Sequence, residues 1–427
     1  MATVEASADE AVDLQDFRAR VAGFLEANAA AWRQVNRDED DILDPPPTDP
    51  AINEILTEVK KYQAALFDAG LAGLTWPKEY GGQGLPSSYQ QAFNEEAARY
   101  DLPLLPLTIG FGMCGPTILA VGTEAQKQRY IRPLLRADEV WCLLFSEPGA
   151  GSDVASLQTR AVLDGDEFVV NGQKVWTSGA HYSDFGALLA RTDVDVPKHR
   201  GLTMMIVDMH SLGITTRPLR QMNGGANFNE VFFDGVRVPA SNVLGHVNEG
   251  WSAAITMLMN ERVAIGAGGA TSGARRAGGG VRALITLARA RGANDDPVMR
   301  QRLADLYIRQ RVQDYLGLRI RSAVRAGRDP GPQGSIAKLA GAELGTRLAD
   351  VAVSIAALAA QAWLPADRQG GRWSTMVTSA PGGSLAGGTN EVQRNIIGER
   401  VLGLPREPQV DRDVPFRDLL VGTQGRS

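Results

Sequence analysis

Apolar residues recur at three- and four-residue steps from about residue 12 to 138: Leu14, Phe17, Val21, Phe24 and Leu25 are separated by charged positions, the period of a helix with one buried face. Asp44-Pro45-Pro46-Pro47 must break the pattern, because proline removes a backbone donor and clashes inside a helix; Trp76-Pro77 and Gly81-Gly82 read as loops. Near Glu139 the period changes. Short apolar runs at 140–145, 168–170, 173–176, 187–190, 204–207 and 231–233, the last leading to 236–238, read as strands. Asn171-Gly172, lying between two of these runs, predicts a hairpin turn. Helical spacing returns at 251–265, 299–318, 336–360 and 391–401, while 369–388, rich in Gly, Ser and Pro, reads as a long loop. The expected fold is mainly α with a β insert: an N-terminal helical domain (1–138), a middle β-barrel or sandwich domain (139–245) and a C-terminal helical domain (246–427).

With 427 residues, 44% of them hydrophobic, the chain has material for several cores and is not a disordered chain. A formal charge of −5 provides no chain-wide cationic field to hold a polyanion, so nucleic acid is not an expected partner. Cys114, Cys142 and four scattered histidines form neither a disulfide framework nor a spaced metal cluster, which fits a reducing compartment and no metal. No apolar run approaches the roughly 20 residues of a membrane helix, and the acidic start (Glu5, Asp9, Glu10) is unlike a signal peptide. A soluble, cytoplasmic protein without membrane insertion is expected.

Three segments carry chemistry. Residues 145–153 read Phe-Ser-Glu-Pro-Gly-Ala-Gly-Ser-Asp, in which Gly149-x-Gly151-Ser152 lets backbone amides approach a pyrophosphate or pantetheine closely; alone it would be an ordinary tight turn. Residues 171–179 read Asn-Gly-Gln-Lys-Val-Trp-Thr-Ser-Gly, and residues 388–397 read Gly-Thr-Asn-Glu-Val-Gln-Arg-Asn-Ile-Ile. In this order they resemble the Thr-Glu-Pro-x-Ala-Gly-Ser-Asp, Asn-Gly-x-Lys-x-Trp-Ile-Thr-Asn-Gly and Glu-Gly-Thr-x-x-Ile-Gln-Arg motifs of the acyl-CoA dehydrogenase family. The helical–β–helical order is similar to that family's over nearly the whole chain.

The resemblance implies a C-terminal four-helix bundle, FAD as cofactor, an acyl-CoA substrate, an electron-transfer flavoprotein as electron acceptor, and a homodimer or homotetramer. It implies cofactor contacts at Leu143, Phe145, Ser146, Gly151, Ser152, Trp176, Thr177, Ser178, Thr389, Asn390 and Glu391. Ser152, Arg262, Gly387 and Gly388 would meet substrate, with Arg262 near the pantetheine end. Trp176 would cover the flavin, where its alternative is a core aromatic, and Ser178 would replace the threonine that hydrogen-bonds flavin N5. Glu391 is open to a second reading, as an acidic residue in the first turn of a helix that begins after Thr389.

Oxidising a thioester at its α and β carbons needs a base for the α proton while flavin N5 takes the β hydride; a desolvated carboxylate suits the task. In the commonest family version the base precedes Gly-Thr in the ending motif, but here that position is Gly387. The isovaleryl- and long-chain-type alternative places it in a Glu-Arg pair eleven residues after a glycine, which Gly250 and Glu261-Arg262 match. The helical neighbours of Glu261 are Met257, Leu258, Ala264 and Ile265, so no cation stands at ion-pair spacing. The resemblance thus implies Glu261 as catalytic base and formation of a trans-2-enoyl-CoA. A flavin oxidase or monooxygenase on the same fold, and a non-catalytic subunit of a hetero-oligomeric dehydrogenase, are the alternatives. The family's Arg-x-x-Phe-Gly stretch is replaced by residues 288–294, which lack phenylalanine, and its Gly-Gly-x-Gly-Tyr has no clear counterpart around 361–371.

Overall fold

The computed structural model describes residues 8–32, 49–100, 102, 104–266, 280–325, 332–362, 368–408 and 411–419. The proline break at 44–47 and the side chains of 261–266 lie outside what is described. The first helical segment comprises α1 (Ala8–Asn28), α2 (Asp49–Asp68), α3 (Ser87–Ala97), α4 (Gly115–Val121) and α5 (Glu124–Arg136). Phe17, Val21 and Leu25 form the buried face of α1, against Tyr62 and Leu66 of α2 and Phe93 of α3, as the spacing predicts. Thr123 starts α5 with a complete capping box to Gln126, whose amide then reaches the carbonyls of Ser241 and Val243 beyond the sheet.

The strands are β1 (Trp141–Leu144), β2 (Arg160–Asp164), β3 (Glu167–Ser178), β4 (Phe185–Arg191), β5 (Leu202–Asp208), β6 (Ile214–Leu219) and β7 (Phe228–Pro239). They form one sheet in the order β1-β4-β2-β3-β7-β6, with β5 also paired to β4. Strands β4 and β5 are buried on both faces and therefore read as unbroken apolar runs; β2 and β6 are mostly solvated and carry no such run in the sequence. The Asn171-Gly172 pair is not a hairpin turn. It lies inside continuous strand β3 at a register shift, and the two-residue turn is Gly165-Asp166, between Asp164 and Glu167. Asn171 instead accepts a hydrogen bond from the Gly235 amide (2.9 Å), and Gly172 takes φ +151° where a Cβ would lie 2.6–2.8 Å from Thr159. A bulge needs the same glycine freedom as a turn, so the dipeptide cannot distinguish them.

The second helical segment comprises α6 (Gly250–Gly266), α7 (Gly280–Ala290), α8 (Pro297–Arg325), α9 (Gln333–Ala356), α10 (Arg368–Leu385) and α11 (Asn390–Arg400). The expected loop at 369–388 is thus mostly helix. Trp373 is buried with Leu344, Val351 and Ile355 of α9, and this packing outweighs the poor propensity of the Pro381-Gly382-Gly383 end. A separate core joins the three segments: Ile131 and Leu134 of α5, Trp141, Leu189 and Met204 of the sheet, and Met257 of α6. Among the described residues no helix is long and apolar enough to cross a membrane.

A buried ion pair ties the sheet to the loop that follows β1. The Lys174 ammonium, wholly enclosed, donates to Glu147 Oε1 (2.8 Å) and to the Phe145 carbonyl (2.9 Å). Glu147 also accepts from the amides of Gln158 (2.7 Å) and Thr159 (2.8 Å). Burial pushes the Glu147 carboxyl up, but Lys174 and these amides outweigh it and hold it below its ordinary range. For Lys174 burial wins over Glu147 and lowers the ammonium.

Two stability predictions follow from this packing. A Cβ on Gly250 would lie 2.4 Å from the Met204 amide nitrogen, so Gly250→Ala must push α6 off β5; a loss of about 1–3 kcal/mol is expected, read as a lower thermal midpoint. Glu147→Gln leaves a buried ammonium without its counter-ion, a loss of about 3–5 kcal/mol. Without Glu147 the folded Lys174 falls further below its unfolded value of 10.5. Between those two values the unfolded chain binds more protons, so stability rises with pH. The melting deficit of Glu147→Gln against wild type should shrink as pH is raised from about 6 to about 8, and a constant deficit would refute the buried charge as its origin.

Candidate active site

The loop after β1 is a closed turn. Glu147 and Ala150 exchange backbone hydrogen bonds (2.9 and 3.1 Å) around Pro148-Gly149, leaving Gly151 and Ser152 exposed, with open space where a Gly151 Cβ would stand. Ser146 accepts from the Val175 amide (2.9 Å), so the first two signature segments meet through both this bond and the Glu147–Lys174 pair. Phe145 faces the core and its carbonyl is taken by Lys174; Leu143 and Ser146 are half-buried.

Beyond Lys174 the register shifts again before Thr177, and Trp176 occupies the shift with φ +60°. That conformation costs a bulky residue about 1–2 kcal/mol. It persists because its neighbours are pinned: Lys174 by Glu147, Val175 by Ser146, and the Thr177 carbonyl by Asn229 Nδ2 (2.9 Å). The indole is consequently pushed outward, 60% exposed, edge-on to Phe228 at 6.0 Å. The alternative of a core aromatic therefore does not hold for Trp176.

Beside it stand buried polar atoms without partners in the structure. Thr177 is 1% exposed and its hydroxyl is unbonded; His181 is held at Nδ1 by Asn229 (3.1 Å) while its buried Nε2 has none. Ser178 is half-buried next to them. Buried polar groups are normally satisfied. An exposed planar ring in a strained position, next to unsatisfied donors and acceptors, fits a large flat ligand with a polar edge. His181 and Asn229 carried no sequence signal, since one follows a strand and the other lies at the start of β7.

The remaining residues lie on the second helical segment. Helix α6 packs its Ala253, Ala254 and Met257 into the joining core, and Asn260 donates to Thr117 of α4 (3.3 Å). It also abuts a wide helical turn at Gly110–Cys114, of the π type that often marks functional sites. Glu261 stands one turn after Met257; its side chain and that of Arg262 lie outside what is described.

Gly387 and Gly388 both take left-handed backbone, φ +64° and +84°, and Gln393 Nε2 donates to their carbonyls at 2.9 and 3.3 Å. Thr389 caps α11 by accepting from the Val392 amide (3.2 Å), Asn390 accepts from Lys338 (3.3 Å), and Glu391 is exposed in the first turn, paired with Arg394 (3.3 Å). The helix-start reading of Glu391 is thus realised. Among the described residues no hydrogen bond or ion pair joins this turn to 143–153 or 176–181, whereas the first two signature segments are bonded to each other.

Three family models match the chain in succession: the acyl-CoA dehydrogenase N-terminal domain over residues 13–138, the middle domain over 142–236 and the C-terminal domain over 248–402. The acyl-CoA dehydrogenase IpdE1 of Mycobacterium tuberculosis is 38% identical over 401 residues, 92% of this chain and 99% of that protein. A solved structure described as the Tcur3481-Tcur3483 steroid ACAD matches with a TM-score of 0.73 and 30% identity, covering 95% of this chain and 100% of that one. The ChsE4-ChsE5 complex from Mycobacterium tuberculosis matches with a TM-score of 0.71 and 28% identity, covering 95% and 100%. Its sequence segments, its helical–β–helical fold and these likenesses agree: the chain belongs to the acyl-CoA dehydrogenase family, whose fold supports dehydrogenase-type oxidoreductase chemistry and FAD binding.

Proposed function

We propose that this protein is an FAD-dependent acyl-CoA dehydrogenase that converts an acyl-CoA thioester to the trans-2-enoyl-CoA, with Glu261 as acceptor of the α proton. The observation that carries this reading is the strained, exposed Trp176 beside the unpartnered Thr177 hydroxyl and the unpartnered His181 Nε2, an arrangement maintained by the Glu147–Lys174 pair. FAD, when bound, supplies the acceptor for the β hydride. Trp176 would cover it, Thr177 and Ser178 would offer hydroxyls to its polar edge, and the amides around Ser146, Gly151 and Ser152 would meet its phosphates or the pantetheine. Thr389, Asn390 and Glu391 would serve the cofactor from the start of α11.

Glu261 stands one turn after Met257, which packs into the joining core, and a substrate that shielded its carboxylate from water would strengthen it as base. Gly387 lacks a carboxylate but keeps a backbone N–H, which suits polarisation of the thioester carbonyl. Arg262 and Gly388 would complete the substrate side. A family relative described as a steroid ACAD supports testing a steroid-side-chain thioester first. An electron-transfer flavoprotein is the proposed acceptor.

Helix α8 exposes Ile308, Val312, Tyr315 and Leu318 at three- and four-residue steps, an apolar stripe that favours association into a homodimer or homotetramer. A second reading, one subunit of a mixed assembly, draws support from the two relatives described as pairs of differently named chains.

Anaerobic titration of the purified yellow protein with straight, branched and steroid-side-chain acyl-CoAs tests the proposal. Flavin bleaching is expected in wild type and should be about 100-fold or more slower in Glu261→Gln; undiminished bleaching in the variant excludes Glu261 as base. Rapid reoxidation in air would favour an oxidase, and bleaching only after a second chain is added would favour the mixed assembly. Trp176→Gly should leave the FAD-free protein within about 1 kcal/mol of wild-type stability, because glycine accepts the left-handed backbone, while weakening FAD retention. Calorimetry of the FAD-free protein and FAD titration read the two effects separately.

A further inference from the structure

The last described segment, 411–419, returns to the β4–β5 connection in the middle of the chain. Pro415 bridges to Pro197, the Phe416 amide donates to the Val196 carbonyl (2.9 Å), the Arg417 amide donates to the Val194 carbonyl (3.0 Å), and the Arg417 side chain pairs with Asp195. Two cations lie under this strap. Lys198 donates to Asp411 (2.7 Å) and to Asp153 (2.9 Å), the residue that ends the glycine-rich turn. Arg191, 1% exposed, stacks against the Phe416 ring with Cζ 3.7 Å from its centroid. It donates to the carbonyls of Ala155 (2.5 Å), Leu157 (3.4 Å) and Lys198 (2.6 Å). Ala155 and Leu157 lead directly to Gln158 and Thr159, whose amides hold Glu147.

The turn at 149–153 therefore has two anchors. Glu147 is fixed by Lys174 at one end, and the strap fixes the other through Lys198 and Arg191. Between them lie two glycines and an exposed serine, the part of the loop with most freedom to lose on binding. A ligand that meets an already ordered turn avoids that loss.

We propose that the C-terminal strap is a positioning element for the coenzyme end of the substrate: Asp411 acting through Lys198, and Phe416 acting through Arg191, hold residues 149–157 in a binding-ready conformation. This rests on the reading of that turn as the place where coenzyme A is met. Lys198, Asp411 and Phe416 are positioning residues, and their effect belongs in substrate affinity and not in the chemical step.

The test uses the full-length holoprotein and its Asp411→Asn, Asp411→Glu and Phe416→Ala variants. Amide exchange at 149–157 without ligand, calorimetric affinity for coenzyme A, and KM and kcat for acyl-CoA are measured. Asp411→Asn and Phe416→Ala should speed exchange at 149–157, weaken coenzyme A by about threefold to tenfold and raise KM similarly, with kcat unchanged. Asp411→Glu should restore all three. Unchanged exchange in both variants overturns the proposal, as does faster exchange with unaltered affinity and KM, or a fall in kcat alone. If wild type itself fails to bind coenzyme A, the reading of the turn as a coenzyme site fails, and the ligand-directed role of the strap fails with it; variants indistinguishable from a binding wild type sink the strap alone.

Discussion

Glu147 and Lys174 are buried together between the loop after β1 and the middle of β3, and much of the local architecture follows from satisfying them. A charge taken out of water needs a partner and hydrogen bonds at nearly every lone pair. Here the carboxylate accepts from the ammonium and from two amides, while the ammonium also takes the Phe145 carbonyl. These bonds draw the chain at 145–147, 158–159 and 174 to one point. Apolar residues of the same volume would fill the space but would not specify that meeting; direction comes from the hydrogen bonds.

The consequence is strain placed where it is useful. With Lys174 and Val175 held on one side and Thr177 held by Asn229 on the other, the extra residue of the bulge must turn outward in left-handed backbone, and that residue is Trp176. A large apolar ring in water and buried hydroxyl and imidazole atoms without partners are each unfavourable alone. Their adjacency makes sense as half of a binding surface. On the other side of the sheet's core contact, the absence of a Cβ at Gly250 lets α6 begin against the backbone of β5. Helix α6 is thereby referred to the same sheet that carries Trp176.

Much of this was legible without coordinates. The 3.6-residue period of α1, the apolar runs of β4 and β5, and the three signature segments each reflect local chemistry that survives folding. The misreadings share a cause. Asn171-Gly172 has the backbone freedom of a turn, but the pairing of β3 with β7 along almost its whole length made it a bulge. Residues 368–385 have loop composition, yet Trp373 anchors them as a helix in the core of the C-terminal bundle. Strands β2 and β6 lie largely in solvent and so left no hydrophobic pattern to read.

Residue types settle what chemistry is available: a glutamate among apolar neighbours on a helix, glycines where backbone must approach a ligand, hydroxyls beside a tryptophan. They leave open which of these groups meet. That Lys174 is spent on Glu147, that Trp176 faces outward and that 411–419 closes behind the glycine turn all depend on partners far apart in the chain. Side-chain chemistry is a property of each residue and survives in the sequence. Burial, register and hydrogen-bond partnership are properties of pairs, and only the folded chain selects them.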